Sequence, residues 1–314
     1  MKKILAVAIV LVMLVAMVAC DASKGDLTSI NDYVAPNYTY VTDTGTFTFA
    51  EAGGNTAVIT GYIGKAEPHA VKVPDHVTVA SLDGSASDED NIRKIVGISD
   101  RAFYYCTAMT SVEIPNTIET IGAWAFAGCT GLSEIVLPDT VVSIGEGAFH
   151  GCTTLKAITL SAGLTKIGNF AFYNCDGITE IALPESLVEI GSAAFFGCQG
   201  LTKLSIPAAT TIIGDLAFYQ CNHLTEIRIN TTAEEIEFGE YIFWSGLVDE
   251  ELGYDHGELA DTLVARGAII TVKDSKAAEY VASIVISGVG EEVTEKGEDT
   301  TTETEEEQTT EAAE

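Results

Sequence analysis

The chain repeats Ala-Phe-x-x-Cys six times without a slip in register. Phe103, Phe126, Phe149, Phe172, Phe195 and Phe218 fall every 23 residues, and Cys106, Cys129, Cys152, Cys175, Cys198 and Cys221 keep the same step. Five residues ahead of each Phe stands an Ile (Ile98, Ile121, Ile144, Ile167, Ile190, Ile213), followed by Gly in all but the first unit. A fixed period of this length restricts the fold to a solenoid. One unit is too small to bury its own apolar side and must stack on the next.

Each unit opens with a line such as Leu132 to Pro138, Ile178 to Pro184 or Leu201 to Pro207. Alternating apolar positions predict a short strand, which the Pro ends because it lacks the amide donor a ladder needs. A second extended piece carries the Ile of Ile-Gly. The Ala-Phe-x-x-Cys stretch is then expected to form a single helical or 3₁₀ turn, with Gly128, Gly151, Asn174 and Gly197 at a tight bend with positive φ. Every ladder Cys holds the same position beside the repeated Phe, so both columns are read as structural, lining the interior of the coil. Disulfides between neighbouring rungs are close enough in distance, but the Cβ vectors would have to turn toward each other.

The line Leu-Thr-Glu-Ile-x-Leu-Pro-x-x-Leu-x-x-Ile-Gly-x-x-Ala-Phe-x-x-Cys resembles the BspA-like (treponemal-type) leucine-rich repeats over about Lys65 to Phe243. The fold class it implies is a β-rich solenoid, a leucine-rich repeat array of 23-residue units with short helical turns, an N-terminal β-hairpin cap and an α/β C-terminal cap. That family is found on bacterial surfaces, and the resemblance implies adhesion or protein binding.

The segments around the array divide clearly. Residues 1–19 read as a signal peptide, with Lys2 and Lys3 ahead of an apolar run from Ile4 to Val18 that is short for a membrane span. Met17-Val18-Ala19-Cys20 resembles a bacterial lipobox, with Met17 in place of the usual Leu. This makes Cys20 the expected lipidation site of a lipoprotein anchored outside the bacterial cell membrane; simple secretion is the alternative. Residues 20–37 form the tether. Residues 38–90 hold the N-terminal β cap, built on a hairpin around Glu51 to Asn55, and an acidic insertion at Ser81–Asn91. That insertion does not match the spacing of a calcium loop and is read as solvated. The repeats run over 91–230. Residues 231–288 contain a degenerate repeat and the C-terminal cap, with helical spacing at Asp274 to Ile284, and residues 289–314 form a disordered acidic tail.

Charge excludes one class of partner. With 16 basic and 46 acidic residues the net charge is −30, and the last 24 residues carry eleven acids against Lys296. Without that tail and the two leader lysines, 13 basic and 35 acidic residues remain, a net of −22. Such a surface repels nucleic acid and anionic lipid headgroups. No nucleophile elbow, His-Glu-x-x-His or phosphate loop is present, so the chain is not expected to be an enzyme or to carry a cofactor. His69, His76, His150, His223 and His256 are scattered, and neither they nor the Cys have the spacing of metal ligands.

What remains is surface. On the first strand of each unit two outward columns are expected, one of Ser111, Glu134, Ala157, Glu180, Lys203 and Glu226, the other of Glu113, Val136, Thr159, Ala182, Ser205 and Arg228. A third column follows the Phe: Tyr104, Ala127, His150, Tyr173, Phe196, Tyr219, then Trp244 in the irregular unit. Its aromatics are candidate ligand-binding residues for a sugar or a partner's apolar side chains. Alternatively they form an outer packing layer over the turns. The function expected is a surface binding or adhesion module for a protein or glycan partner, touching the membrane only through its lipid. The alternative is a structural envelope spacer without a dedicated ligand.

Overall fold

The computed structural model describes residues 38–78, 92–230, 236–239, 242–243 and 269–272. The leader, Cys20, the acidic insertion, Trp244, the segment 274–284 and the acidic tail lie outside these residues.

Two parallel ladders run the length of the repeats. The first contains β4 (His69–Lys72), β7 (Met109–Glu113), β9 (Glu134–Val136) and β11 (Ala157–Thr159). It continues through β14 (Lys203–Ile206), β16 (Glu226–Ile229) and β18 (Ile269–Val272). A single parallel bridge, Glu180 to Lys203, stands where the fifth unit has no full strand. The second ladder contains β6 (Ile92–Ile98), β8 (Thr120–Ile121), β10 (Ser143–Ile144), β12 (Lys166–Ile167), β13 (Glu189–Ile190), β15 (Ile212–Ile213) and β17 (Glu237–Phe238). Register follows the sequence period, with Ile135 opposite Ile158 and Ile144 opposite Ile167.

At the N-terminal end the same sheet turns antiparallel. β1 (Tyr38–Val41) pairs with β2 (Gly45–Gly53), β2 pairs with β3 (Thr56–Gly64), β3 lies parallel to β6, and β5 (His76–Thr78) pairs antiparallel with β6. Phe47 and Tyr62 from this hairpin lie against Phe103, at 6.2 and 5.4 Å between ring centres. The end of the phenylalanine stack is thereby covered.

The interior is filled by the repeated apolar positions. In one rung Leu132, Ile135, Leu137, Val141, Ile144, Ala148, Phe149 and Cys152 are all buried. From Phe103 to Phe218 the rings stack at 4.9 to 5.3 Å and within 13° of parallel. Phe243 extends the stack by one ring at 5.5 Å. The Gly after each Ile has a steric cause, since a Cβ on Gly145 would sit 2.6 Å from the backbone of Gly122.

The expected helical turns are not formed, and the described residues contain no helix. In each unit the residue two before the Phe and the residue two after it have positive φ, as at Phe170 (56°) and Asn174 (54°). Left-handed residues at this spacing stop a helix from propagating. Amides at alternate positions bond within the rung, as Tyr173 N–H does to Phe170 O at 3.1 Å. Those between them bond to the next rung: Phe170 to Ser192 O at 2.9 Å, Phe172 to Ala194 O at 2.7 Å and Asn174 to Phe196 O at 2.7 Å. The expected positive φ at Gly128, Gly151, Asn174 and Gly197 is found, and Tyr105 and Gln220 share it. The third side of the solenoid is thus a ladder in its own right. Along it the Ala-Phe pair and the Cys are buried, as at Ala171, Phe172 and Cys175, while Phe170 and Asn174 are exposed and Tyr173 is half-buried, and this places the candidate site.

Candidate functional site

The inward positions of the turn side carry the structural columns. Phe103, Phe126, Phe149, Phe172, Phe195 and Phe218 are fully buried. All six ladder cysteines are buried and none is in a disulfide. Each thiol from the second unit on donates to the carbonyl of the preceding rung's Phe: Cys129 to Phe103 O and Cys152 to Phe126 O at 3.1 Å, Cys175 to Phe149 O at 3.0 Å. Cys198 and Cys221 repeat the contact at 3.1 and 3.2 Å. Burial pushes the Cys152 and Cys221 thiols up to about 12, and Cys175 and Cys198 well above their ordinary value. A thiol so placed is neither nucleophile nor metal ligand. Sequence periodicity located these cysteines, but the hydrogen bond that favours sulfur there left no sequence signal.

The outward positions form a second stack. His150 and Tyr173 lie 4.8 Å apart and 2° from parallel, Tyr173 and Phe196 4.6 Å and 9°, Phe196 and Tyr219 4.9 Å and 18°. His150, Tyr173 and Phe196 are half-buried. The ends differ, with Tyr219 only 4% exposed and Tyr104 43%. Ala127 leaves a gap in the column and is itself buried. His150 sits in the stack, and burial holds its pKa below the ordinary imidazole value against a smaller opposing backbone hydrogen bond.

Three aromatics that the column did not include join this surface. The Trp124 indole lies over Gly147, where a Cβ would come within 2.7 Å of it, and 5.1 Å from His150. It fills the gap left by Ala127. Phe170, 37% exposed, leans on Tyr173 at 6.1 Å. Tyr105 packs over Gly128 and meets Tyr104 edge to face at 4.5 Å. The signal for Trp124 and Tyr105 was a large aromatic one rung before a Gly in the same column. It has no period and is invisible to a repeat alignment.

The stack has a chemical consequence. Rings this close and this parallel occupy each other's faces, so the run from His150 to Tyr219 presents mainly edges and polar tips outward. Rings able to offer a face lie at its margins: Tyr104, Trp124 and Phe170. Stacking of a sugar needs such a face.

The two first-strand columns point outward as expected, and all but the half-buried Ser111 and Glu226 are exposed. Val136 is their one large apolar residue, 62% exposed. Charges here pair across rungs, Lys72 with Glu113 at 2.8 Å and Lys203 with Glu226 at 3.5 Å, and Arg228 joins Glu226 at 2.5 Å. On the second ladder Lys166 meets Glu189 at 2.8 Å. A cleft of about 120 Å³ beside Lys65, His69, Tyr105 and Met109 is well below the ~300 Å³ where ligand pockets begin. Among the described residues no three His, Cys, Asp or Glu side chains gather as a metal site.

Parallel rungs stacked on an interior of repeated Phe, Cys, Leu and Ile define a repeat solenoid of the leucine-rich type. Residues 96–176 and 128–246 match the BspA type leucine rich repeat region, in six copies. The repeat array of this chain belongs to that family. The chain is similar to a leucine-rich repeat protein from Bacteroides ovatus, with 30% identity over 66% of this chain and 51% of that one, and a TM-score of 0.55. It is also similar to a leucine rich cell surface protein from Faecalibacterium prausnitzii, with 29% identity over 64% and 50% of the two chains and a TM-score of 0.52. The chain thus spans about half the length of these two solved proteins. No curated protein matches it.

Proposed function

We propose that this chain is an exported surface module that binds a protein or glycan partner through the turn side of its solenoid. The observation that carries this is the run of partly exposed rings from Trp124 through His150, Tyr173 and Phe170 to Phe196. Apolar aromatic area of this extent, in register over several rungs, costs hydration and is the usual mark of an interaction surface. Its neighbour from Faecalibacterium is a cell surface protein, in keeping with export through the leader at residues 1–19. Cys20 carries the lipid, the hairpin of β2 and β3 caps the first rung, and residues 20–37 hold the solenoid clear of the membrane.

Arrays of glycans and of extracellular proteins, probed with the full chain and with Tyr173→Ala, test the binding reading. Signals present for the parent and lost in the variant support it. An array without any signal, or with signals that ignore Tyr173, contradicts it and favours a spacer. Palmitate labelling of the parent and of Cys20→Ala tests the anchor, which fails if the two label equally or not at all.

A further inference from the structure

Charge is distributed differently on the three sides of the solenoid. On the two strand sides acid and base face each other across rungs, as in Lys72–Glu113, Lys166–Glu189 and Lys203–Glu226. The turn side, from three residues before each Phe to the residue after each Cys, carries exposed Asp100, Glu146, Asp176 and Asp215. Arg101 is its only Lys or Arg among the described residues. His150 adds no charge near neutral pH, because burial disfavours the imidazolium.

Three of these acids share a rung with a ring that reaches the surface: Asp100 with Tyr104, Glu146 with His150, and Asp176 with Phe170 and Tyr173, whereas Tyr219, on the rung of Asp215, is buried. Glu146 also precedes Gly147, over which the Trp124 indole lies. Apolar edges beside exposed carboxylates suit an amphipathic cation. The methylene stem of a Lys or Arg can lie along the ring edges while its head group reaches a carboxylate, and the partly exposed rings of Trp124 and Phe170 can add cation–π attraction. A neutral sugar would find few ring faces open in the stack.

We infer that the turn side takes a basic, Lys- or Arg-bearing segment of a partner protein. This rests on the binding reading above and narrows its ligand to one class; the net charge of −30 would draw such a partner in at long range.

The test uses the full chain at about 150 mM salt, where exposed charges beyond about 8 Å are screened. Its probes are a labelled peptide of alternating Gly and Lys, the same peptide with Gln for Lys, and chitohexaose as a neutral glycan. Two charge-matched doubles are compared, Glu146→Gln with Asp176→Asn on the turn side and Glu134→Gln with Glu180→Gln on the first-strand side. Phe170→Ala changes no charge. Binding of the Lys peptide over the Gln peptide is expected, weakened about threefold to tenfold by the turn-side double. A similar loss is expected with Phe170→Ala, and less than twofold with the strand-side double. Equal loss with both doubles would mean diffuse attraction to an acidic protein and overturns the inference, as does equal binding of the two peptides or preference for chitohexaose. If Tyr173-dependent array signals persist while the Lys peptide fails, only the ligand class falls. If neither is seen, both readings fall.

Discussion

Phe172 and Tyr173 are adjacent in the chain, yet each belongs to a different stack. Phe172 is fully buried between Phe149 and Phe195 at 5.3 and 5.1 Å, while Tyr173 lies on the outside between His150 and Phe196 at 4.8 and 4.6 Å. The backbone around them is flanked by left-handed residues at Phe170 and Asn174 and bonds to the next rung at Phe172. One ladder therefore organises both the interior and the candidate binding surface.

The thiol column sets an alkaline limit. The Cys152 and Cys221 thiols are raised to about 12 by burial, while the unfolded chain ionises near the ordinary thiol value. A folded value above the unfolded one gives stability that is complete below the unfolded pKa and lost as pH rises beyond it. Melting temperature should fall progressively above about pH 8.5, and less steeply in Cys152→Ala. Thiol counting at neutral pH should find the six ladder cysteines unreactive until denaturant is added. A flat alkaline profile with fast native labelling would refute the buried placement.

His150 sets a smaller acid effect of the opposite sign. Its folded pKa is lowered, chiefly by burial. The unfolded state then binds the proton more readily, so this contribution is present above about pH 6.5 and is lost as pH falls below it. His150→Phe keeps a ring in the stack and removes the titration. The stability gap between variant and parent should widen in the variant's favour from pH 7 to pH 5; a gap independent of pH would show that the imidazole is solvated.

Gly147 and Gly151 separate backbone strain from packing. Both have positive φ, 56° and 69°, but an added Cβ meets Trp124 at Gly147 and nothing within 4 Å at Gly151. Gly151→Ala should cost about 1–2 kcal/mol from backbone alone. Gly147→Ala should cost more and shift the Trp124 emission, read in a Trp244→Phe background. Equal cost and unchanged emission would mean that the indole does not lie on Gly147.

Much of this was legible because it repeats. The 23-residue step fixed the rungs, the apolar positions of both strands, the buried phenylalanines and the inward cysteines. The turn conformation was not legible, since Trp124, Phe170, Ala193 and Leu216 hold positive φ without being Gly or Asn. Bonds between rungs impose that conformation, and they exist only once rungs have stacked. Trp124 and Phe170 escaped the candidate site for a related reason. They reach the surface from a column that also holds Gly147 and Ala193, so no periodic signal marks them.

The most direct measurement compares Phe172→Ala with Tyr173→Ala in thermal melting and in array binding. Phe172→Ala should cost about 3–5 kcal/mol, by leaving a cavity between two rungs, and should split the melt because each rung contacts only its neighbours. Tyr173→Ala should cost roughly 1–3 kcal/mol for two surface ring contacts, melt as one unit and abolish binding. A Tyr173→Ala variant that unfolds early, beside a Phe172→Ala variant that stays stable and loses binding, would contradict the assignment of the two stacks.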